Sequence, residues 1–260
     1  MVRGLYTAWT GLRNEERRMD VVTNNMANVT TTGFKKEGST SQSFKDVFTV
    51  KVKDASIGLA NVQGSGIRNP GVKIGENYVD YSQGSFKETG NVYDVALSGD
   101  GFFVIEFTNK AGETSNMFTR AGQFTLTKEG DLVTEEGDYV LDVNNRHIRV
   151  NTMIERTEIM KDGSIYQNDQ FVAQIQVADF EDYDYLERYG ETYFRPLQGA
   201  RQIEGTAETF EGYLEMANVL PVSEMVNLIT ISRQYEANQK IIQTYDDSLE
   251  IAVSQLGRVT

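Results

Sequence analysis

Two stretches, one near each end of the chain, repeat apolar side chains in alternating steps of three and four. From Leu5 the walk runs Leu5, Ala8, Leu12, Glu15, Met19, Val22, Met26, Val29, and only Glu15 interrupts it. From Leu228 it runs Leu228, Ile231, Tyr235, Asn238, Ile242, Tyr245, Leu249, Ala252, Leu256, with Asn238 the only strongly polar member. That spacing averages to the heptad period of a coiled-coil seam. Charged residues fill the intervening positions, among them Arg13, Arg17 and Asp20 in the first stretch and Arg233, Asp247 and Glu250 in the second. Each stretch therefore predicts a helix with one narrow apolar stripe, roughly 40 Å long at ~1.5 Å per residue. Core helices of one globular domain are the plainer reading of such a pattern. A narrow stripe buries little against a compact domain, however, and more against another helix or another copy. The ends are expected to pack together and to self-assemble, with Asn238 fixing register at some loss of stability.

The boundaries fit. Thr30, Thr31 and Thr32 are β-branched and Gly33 is a stop signal, so the first helix is predicted to end near Val29. Pro221 suits a first helical turn, where its missing N–H is not needed.

Between the helices the period changes. Runs such as Phe102–Phe107, Phe118–Leu126, Tyr139–Asp142, His147–Val150 and Phe171–Val177 are rich in β-branched and aromatic residues. Turn dipeptides punctuate them: Gly99-Asp100, Gly130-Asp131, Gly137-Asp138, Asn144-Asn145 and Asp162-Gly163. The pattern predicts an antiparallel all-β domain over 73–217, with 128–140 forming successive tight connections of one meander. The tract before it, 36–72, is Ser-, Lys- and Gly-rich with weak periodicity and reads as an extended linker. The expected fold is thus α+β: helical ends (1–35 and 218–260) packed together, a linker, and a central β domain.

Composition excludes much chemistry. The 260 residues include no cysteine and one histidine, His147, which removes thiol catalysis, disulfides and multi-histidine metal centres. A net charge of −13 argues against nucleic acid as a partner. No apolar run reaches the ~18 residues of a membrane span, and MVRGLYTAWTGL is too interrupted for a secretory signal. No cofactor, metal site, membrane insertion or catalytic residue is expected. SGDGFF (98–103) precedes a strand and reads as a tight turn instead of a phosphate loop. The acid- and tyrosine-rich segment 180–194 reads first as a loop with aromatic anchors. A glycan-binding platform, or a glycan hydrolase using carboxylates there, are the alternatives.

Four blocks carry a resemblance to one family. TNNMANVTTTGFKK (23–36) resembles the N-terminal signature of the bacterial flagellar rod and hook proteins through Asn24, Asn25, Ala27, Asn28, Thr32, Gly33, Phe34 and Lys35. The block at 89–106 resembles a second family pattern through Asp94, Ala96, Leu97, Gly99, Gly101, Phe102 and Phe103. A third, at 118–141, matches through Arg120, Gly122 and Phe124, with Phe118 where tyrosine is usual. The C-terminal signature is matched over 211–249, including Gly212, Glu215, Asn218, Glu224, Met225, Asn227 and Arg233, with Ala217 where serine is common. The resemblance implies a structural subunit, exported unfolded through the flagellar export apparatus without a cleaved signal. It implies helical polymerisation through the terminal helices into a hollow basal-body shaft, together with other rod and hook proteins. Length and a single modest β domain favour a rod protein over a hook protein, and the N-terminal signature and overall length lean towards the distal rod subunit; a proximal rod or hook paralogue is the alternative within the family. Ends of this kind are expected to be partly disordered before assembly.

Overall fold

The computed structural model describes residues 2–52, 62–110, 112–154 and 156–256, arranged as two compact units. The first combines 2–26, 37–80 and 220–256; the second combines 27–36 and 81–219. The sequence reading of residues 53–61 and 257–260 falls outside the described residues.

In the first unit, α1 (Val2–Ala27) and α2 (Pro221–Leu256) pack together. A Cβ placed on Gly4 would lie 2.2 Å from the Tyr245 hydroxyl, and one on Gly11 would lie 3.0 Å from Asn238 Nδ2. Advancing along α1 from Gly4 to Gly11 thus means retreating along α2 from Tyr245 to Asn238: the helices run antiparallel, one heptad matched to one heptad. Glycines on α1 are the holes for two large seam residues of α2. Glu224, in the first turn of α2, has the charge that suits a helix N-terminus.

The remainder of this unit corrects the linker expectation. β1 (Glu37–Ser43) pairs antiparallel with β4 (Val72–Val79), and β2 (Val47–Val52) pairs antiparallel with β3 (Val62–Arg68). Each pair carries a register irregularity, at Ser39/Ser41 and at Thr49/Val50. Sequence periodicity missed β1 because EGSTSQS has no apolar face. It is held by main-chain pairing and by polar bonds such as the Glu76 N–H to Thr40 Oγ1 (3.0 Å). Hydrophobic alternation reports burial, and this strand buries little.

All strand pairs of the second unit are antiparallel too. Its largest sheet runs 186–189, 193–196, 114–119, 102–108, 139–140, 132–134, 124–126, with 177–180 also on the edge of 102–108. The last three strands are the sequential meander read from 128–140, turning at Gly130 and Gly137, both at positive φ. Around it lie the three-stranded 157–174 meander and the pairs 95–98 with 208–211 and 86–88 with 213–215. Strand Phe102–Thr108 is buried on both faces over its first four residues. Phe103 and Ile105 point into the main core with Val95, Leu97, Phe124 and Leu132. Phe102 faces the other way, among Phe180, Phe194 and Tyr183. His147–Val150 is not a strand; His147 and Arg149 make only isolated bridges to Leu141 and Asp131.

Candidate functional site

Residues from each of the four sequence blocks meet in the second unit, while others, such as Asn25 and Glu224, belong to the first. Past α1 the chain turns at Asn28, whose carbonyl accepts from Thr31 N–H (3.1 Å) and whose side chain accepts from Thr31 Oγ1 (3.1 Å). Val29, read as a seam position, lies beyond the helix, which ends at Ala27, and packs with Phe34, Ala217 and Val219 instead. The β-branched run simply stops the helix one step earlier than its apolar spacing suggests. Gly33 then takes φ +67 and donates its N–H to the Glu215 carbonyl (2.8 Å). A Cβ there would lie 2.2 Å from the Ala121 backbone nitrogen, so only glycine fits on both counts.

Glycine at 33 lets Phe34 and Lys35 turn fully inward, and both are buried. The Arg188 guanidinium sits 4.2 Å above the Phe34 ring and donates to the Lys35 carbonyl (3.2 Å). Lys35 Nζ donates to Glu215 Oε1 (2.7 Å) and to the Ser82 carbonyl (2.8 Å). The same Oε1 accepts from Gly84 N–H (2.8 Å), while Arg120 Nη1 stands 3.5 Å from Oε2. Asn218 closes the ring: its Oδ1 accepts from Lys36 N–H (2.7 Å) and its Nδ2 donates to Ser82. Two cations thus share one carboxylate, all three side chains at most 3% exposed. Arg120 Nε and Nη1 and Glu215 Oε2 lack a hydrogen-bond partner among the described residues, and Arg120 is partly compensated by the Phe102 ring at 5.3 Å. Such a cluster fixes geometry more than it adds stability. In the sequence, three of the four crossings between the units, 36/37, 80/81 and 219/220, lie within two positions of Lys35, Ser82 and Asn218.

Ser82, Gly84 and Arg188 were not among the residues singled out in the sequence, and Glu215 stood there only as a match to the C-terminal signature. Lys35 and Glu215 lie 180 positions apart, and nothing local in either segment announces the pairing. The other signature residues are scattered by role. Asn25 is buried in the first unit, where its Nδ2 donates to the Glu37 carbonyl (2.8 Å) and its Oδ1 accepts from Glu37 N–H (2.9 Å). Asn24 and Ala27 are exposed, and Thr32 is half-buried. Asp94 is buried, accepting from Asn91 Nδ2 (3.1 Å). Gly99 and Gly101 make the turn that starts the Phe102 strand, and Gly122 lies so close to the Val95 carbonyl that a Cβ would overlap it. Glu224 is buried, whereas Met225 is exposed.

The seam positions of the first unit are covered thinly. On α2, Leu228, Tyr235, Asn238, Ile242, Tyr245, Leu249 and Ala252 are half-buried, and Ile231 alone among the described α2 seam side chains is fully buried. Apart from Ser232, every other described side chain from Met225 to Gln255 is exposed. The side chain of Leu256 lies outside the described residues. On α1, Ala8 is buried and Leu5, Leu12, Met19, Val22 and Met26 are half-buried.

The remaining candidates are structural. Tyr183 donates to Asp179 (2.7 Å) and packs on Phe102, its phenol pushed up by burial and then by Asp179. Tyr193 donates to Asp138 (2.9 Å) and lies beside Thr134, and it too is pushed up, chiefly by burial. The 180–194 segment is thus an aromatic anchor. Burial, then Asp138, raises the Glu136 carboxyl above its ordinary range. His147 stacks flat on Tyr139 at 4.2 Å and reaches Glu106 (3.2 Å). Among the described residues no cluster of histidines and carboxylates could hold a metal, and no helix is long and apolar enough to cross a membrane.

A β unit whose charged residues serve its own architecture, carried with a thinly covered helix pair, defines a structural subunit. Comparison with known proteins agrees. Residues 5–35 match the family described as flagella basal body rod protein, residues 96–167 the flagellar hook protein FlgE/F/G D1 domain, and residues 211–256 the flagellar basal body rod FlgEFG protein C-terminal region. The chain is 32% identical to the flagellar basal-body rod protein FlgG of Bacillus subtilis, over 98% of this chain and 99% of that one. It is 31% identical to FlgF of Caulobacter vibrioides over the whole of both, and 32% identical to FlgG of the same bacterium over 98% and 99%. The chain belongs to the flagellar basal-body rod protein family, and is a non-enzymatic structural protein of the flagellum. The two Caulobacter relatives match to nearly the same degree, so family membership is what the comparison establishes.

Proposed function

We propose that this chain polymerises helically through α1 and α2 into the hollow rod, towards its distal end, and there transmits motor torque to the hook. The observation that carries the reading is the exposure of α2. A 36-residue helix keeps one line of partial cover, while Val222, Met225, Val226 and Ile229 form an apolar patch on its opposite side, bare to solvent. Spacing by three and four puts those four residues on one face. Sister copies supply the missing cover. Other rod and hook proteins adjoin the polymer at its ends, and the chain reaches the site through the flagellar export apparatus, unfolded and without a cleaved signal. The ends order fully only on assembly. The distal assignment draws on the N-terminal signature and on length, and the single modest β domain favours a rod over a hook subunit.

The double variant Val226→Asp/Ile229→Asp tests this. Both side chains are exposed, so the monomer keeps its circular dichroism. Polymer recovered by sedimentation of the purified chain, and motility of cells carrying the variant, are expected to collapse. An unchanged polymer yield would sink the reading.

A further inference from the structure

The antiparallel register of the helix pair leaves α2 longer than its partner. Gly4 opposite Tyr245 places Val2 level with Asp247, so residues 248–256 run past the first described residue of α1, by ~13 Å at ~1.5 Å per residue. At and just before this overhang Asp247, Glu250 and Ile251 share one exposed face, opposite Leu249 and Ala252 of the seam. Neither acid has an ion-pair partner among the described residues.

The same unit carries a groove of opposite character. It is about 230 Å³, lies between α1 and the β1–β4 pair, and is lined by Trp9, Arg13, Asn14, Arg17 and Lys73 among others. Trp9 is half exposed, and Arg13, Arg17 and Lys73 are exposed with no ion pair among the described residues. Asn14 is 3% exposed and its Oδ1 is a buried acceptor with no donor. In a protein of net charge −13, three uncompensated cations around an aromatic ring are a localised exception.

Resting on the polymerisation reading, we propose that this groove receives the α2 overhang of a second copy. Ile251 packs on Trp9, and Asp247 and Glu250 pair with Arg13, Arg17 and Lys73. The spacing agrees, since Arg13 and Arg17 are one helical turn apart, as are Asp247 and Glu250–Ile251. Charge complementarity favours this occupant: from Ile241 to Leu256 α2 carries Asp246, Asp247 and Glu250 and no cation. The contact is heterologous, one surface meeting a different one, so it propagates from copy to copy instead of closing on a dimer.

The absence of native cysteine makes the test direct. Full-length Trp9→Cys and Ile251→Cys proteins are mixed, allowed to polymerise and oxidised. Within one molecule Trp9 stands level with Lys240, eleven residues and ~16 Å from Ile251, outside the ~7 Å Cα reach of a disulfide. The expected product is a Trp9→Cys to Ile251→Cys heterodimer. Arg13→Glu/Arg17→Glu should cut its yield at least tenfold, and adding Asp247→Arg/Glu250→Arg to the Ile251→Cys partner should restore it. Polymer that forms but gives no heterodimer, or a yield indifferent to charge reversal, overturns this contact and leaves polymerisation standing. A wild-type chain that stays monomeric at every concentration overturns the polymerisation reading and this contact with it.

Discussion

The Lys35–Glu215–Arg120 cluster and the α1–α2 seam join the two ends of this chain by opposite means. In the cluster, residues 180 positions apart are locked by short charge-assisted bonds inside a nearly water-free site. In the seam, long helices meet along one line that water still reaches, and of the described α2 seam side chains only Ile231 is fully covered. Removing a partner from the first strands a buried charge. A substitution in the second meets side chains with room to move. The difference separates a part completed by its own chain from a part whose surface asks for more protein.

The strongest way to break that comparison is Glu215→Leu, which leaves Lys35 and Arg120 buried without their anion. Breaking a buried pair from one side costs about 3–5 kcal/mol, read here by denaturant unfolding of the full chain. Replacing the whole set, Lys35→Met/Arg120→Leu/Glu215→Leu, should recover much of the loss, because no charge is then left inside. Equal destabilisation in single and triple variants would mean the cluster matters by shape and not by charge.

Gly33→Ala comes next. Its left-handed backbone costs a side-chain-bearing residue about 1–2 kcal/mol, and the Cβ at 2.2 Å from a backbone nitrogen adds to it. Hydrogen exchange at residues 31–36 should rise first; unchanged protection there would show that the turn is not what seats Phe34 and Lys35. Asn25→Ala in the first unit should cost about 1–2 kcal/mol, since two bonds to the Glu37 backbone are lost at a buried side chain. If it costs as much as Glu215→Leu, the first unit is as tightly built as the second.

Alkaline titration probes the second unit alone. Burial raises the Tyr81 phenol to about 12, against 10 in the unfolded chain, with Arg188 opposing and Asp184 adding. The folded state therefore keeps its full stability below pH 10 and loses this contribution as pH climbs through about 12. Tyrosinate absorbance should show a late-titrating class, to which Tyr183 and Tyr193 also contribute, that disappears on unfolding and shrinks in Tyr81→Phe; an undiminished class in that variant would assign it elsewhere.

Legibility in the sequence followed the same division. The helices, the Pro221 start and the turns at Gly130, Gly137 and Gly163 were readable because periodicity and positive φ are local properties. The β1–β4 pair was not, since GSTSQS carries no burial pattern. The charged cluster was half legible: its members stood in recognisable blocks, but the bond from Lys35 to Glu215 depends on topology that no window of sequence contains. The 180–194 segment reads first as a loop with aromatic anchors, and Tyr183 and Tyr193 do turn inward. Its strands Leu186–Tyr189 and Tyr193–Pro196 were not legible, because their pairing is set by topology and not by local periodicity.

The smallest effect sharpens the comparison most finely. A Cβ on Gly11 would meet Asn238 Nδ2 at 3.0 Å, the far end of a half-buried side chain that can turn aside. Against that contact stands the helix propensity gained by Gly→Ala in an exposed helix, about 1 kcal/mol. The two nearly cancel, so Gly11→Ala should change monomer stability by under ~1 kcal/mol, with a slight rise in helix content by circular dichroism. Gly4→Ala presses harder, at 2.2 Å from the Tyr245 hydroxyl, yet that phenol also has solvent to swing into. In the polymer, where sister chains would confine both side chains, the same methyls should cost more than in the monomer. A large loss already in the monomer would mean that the seam is closed within one molecule, and the contrast with the charged cluster would fail.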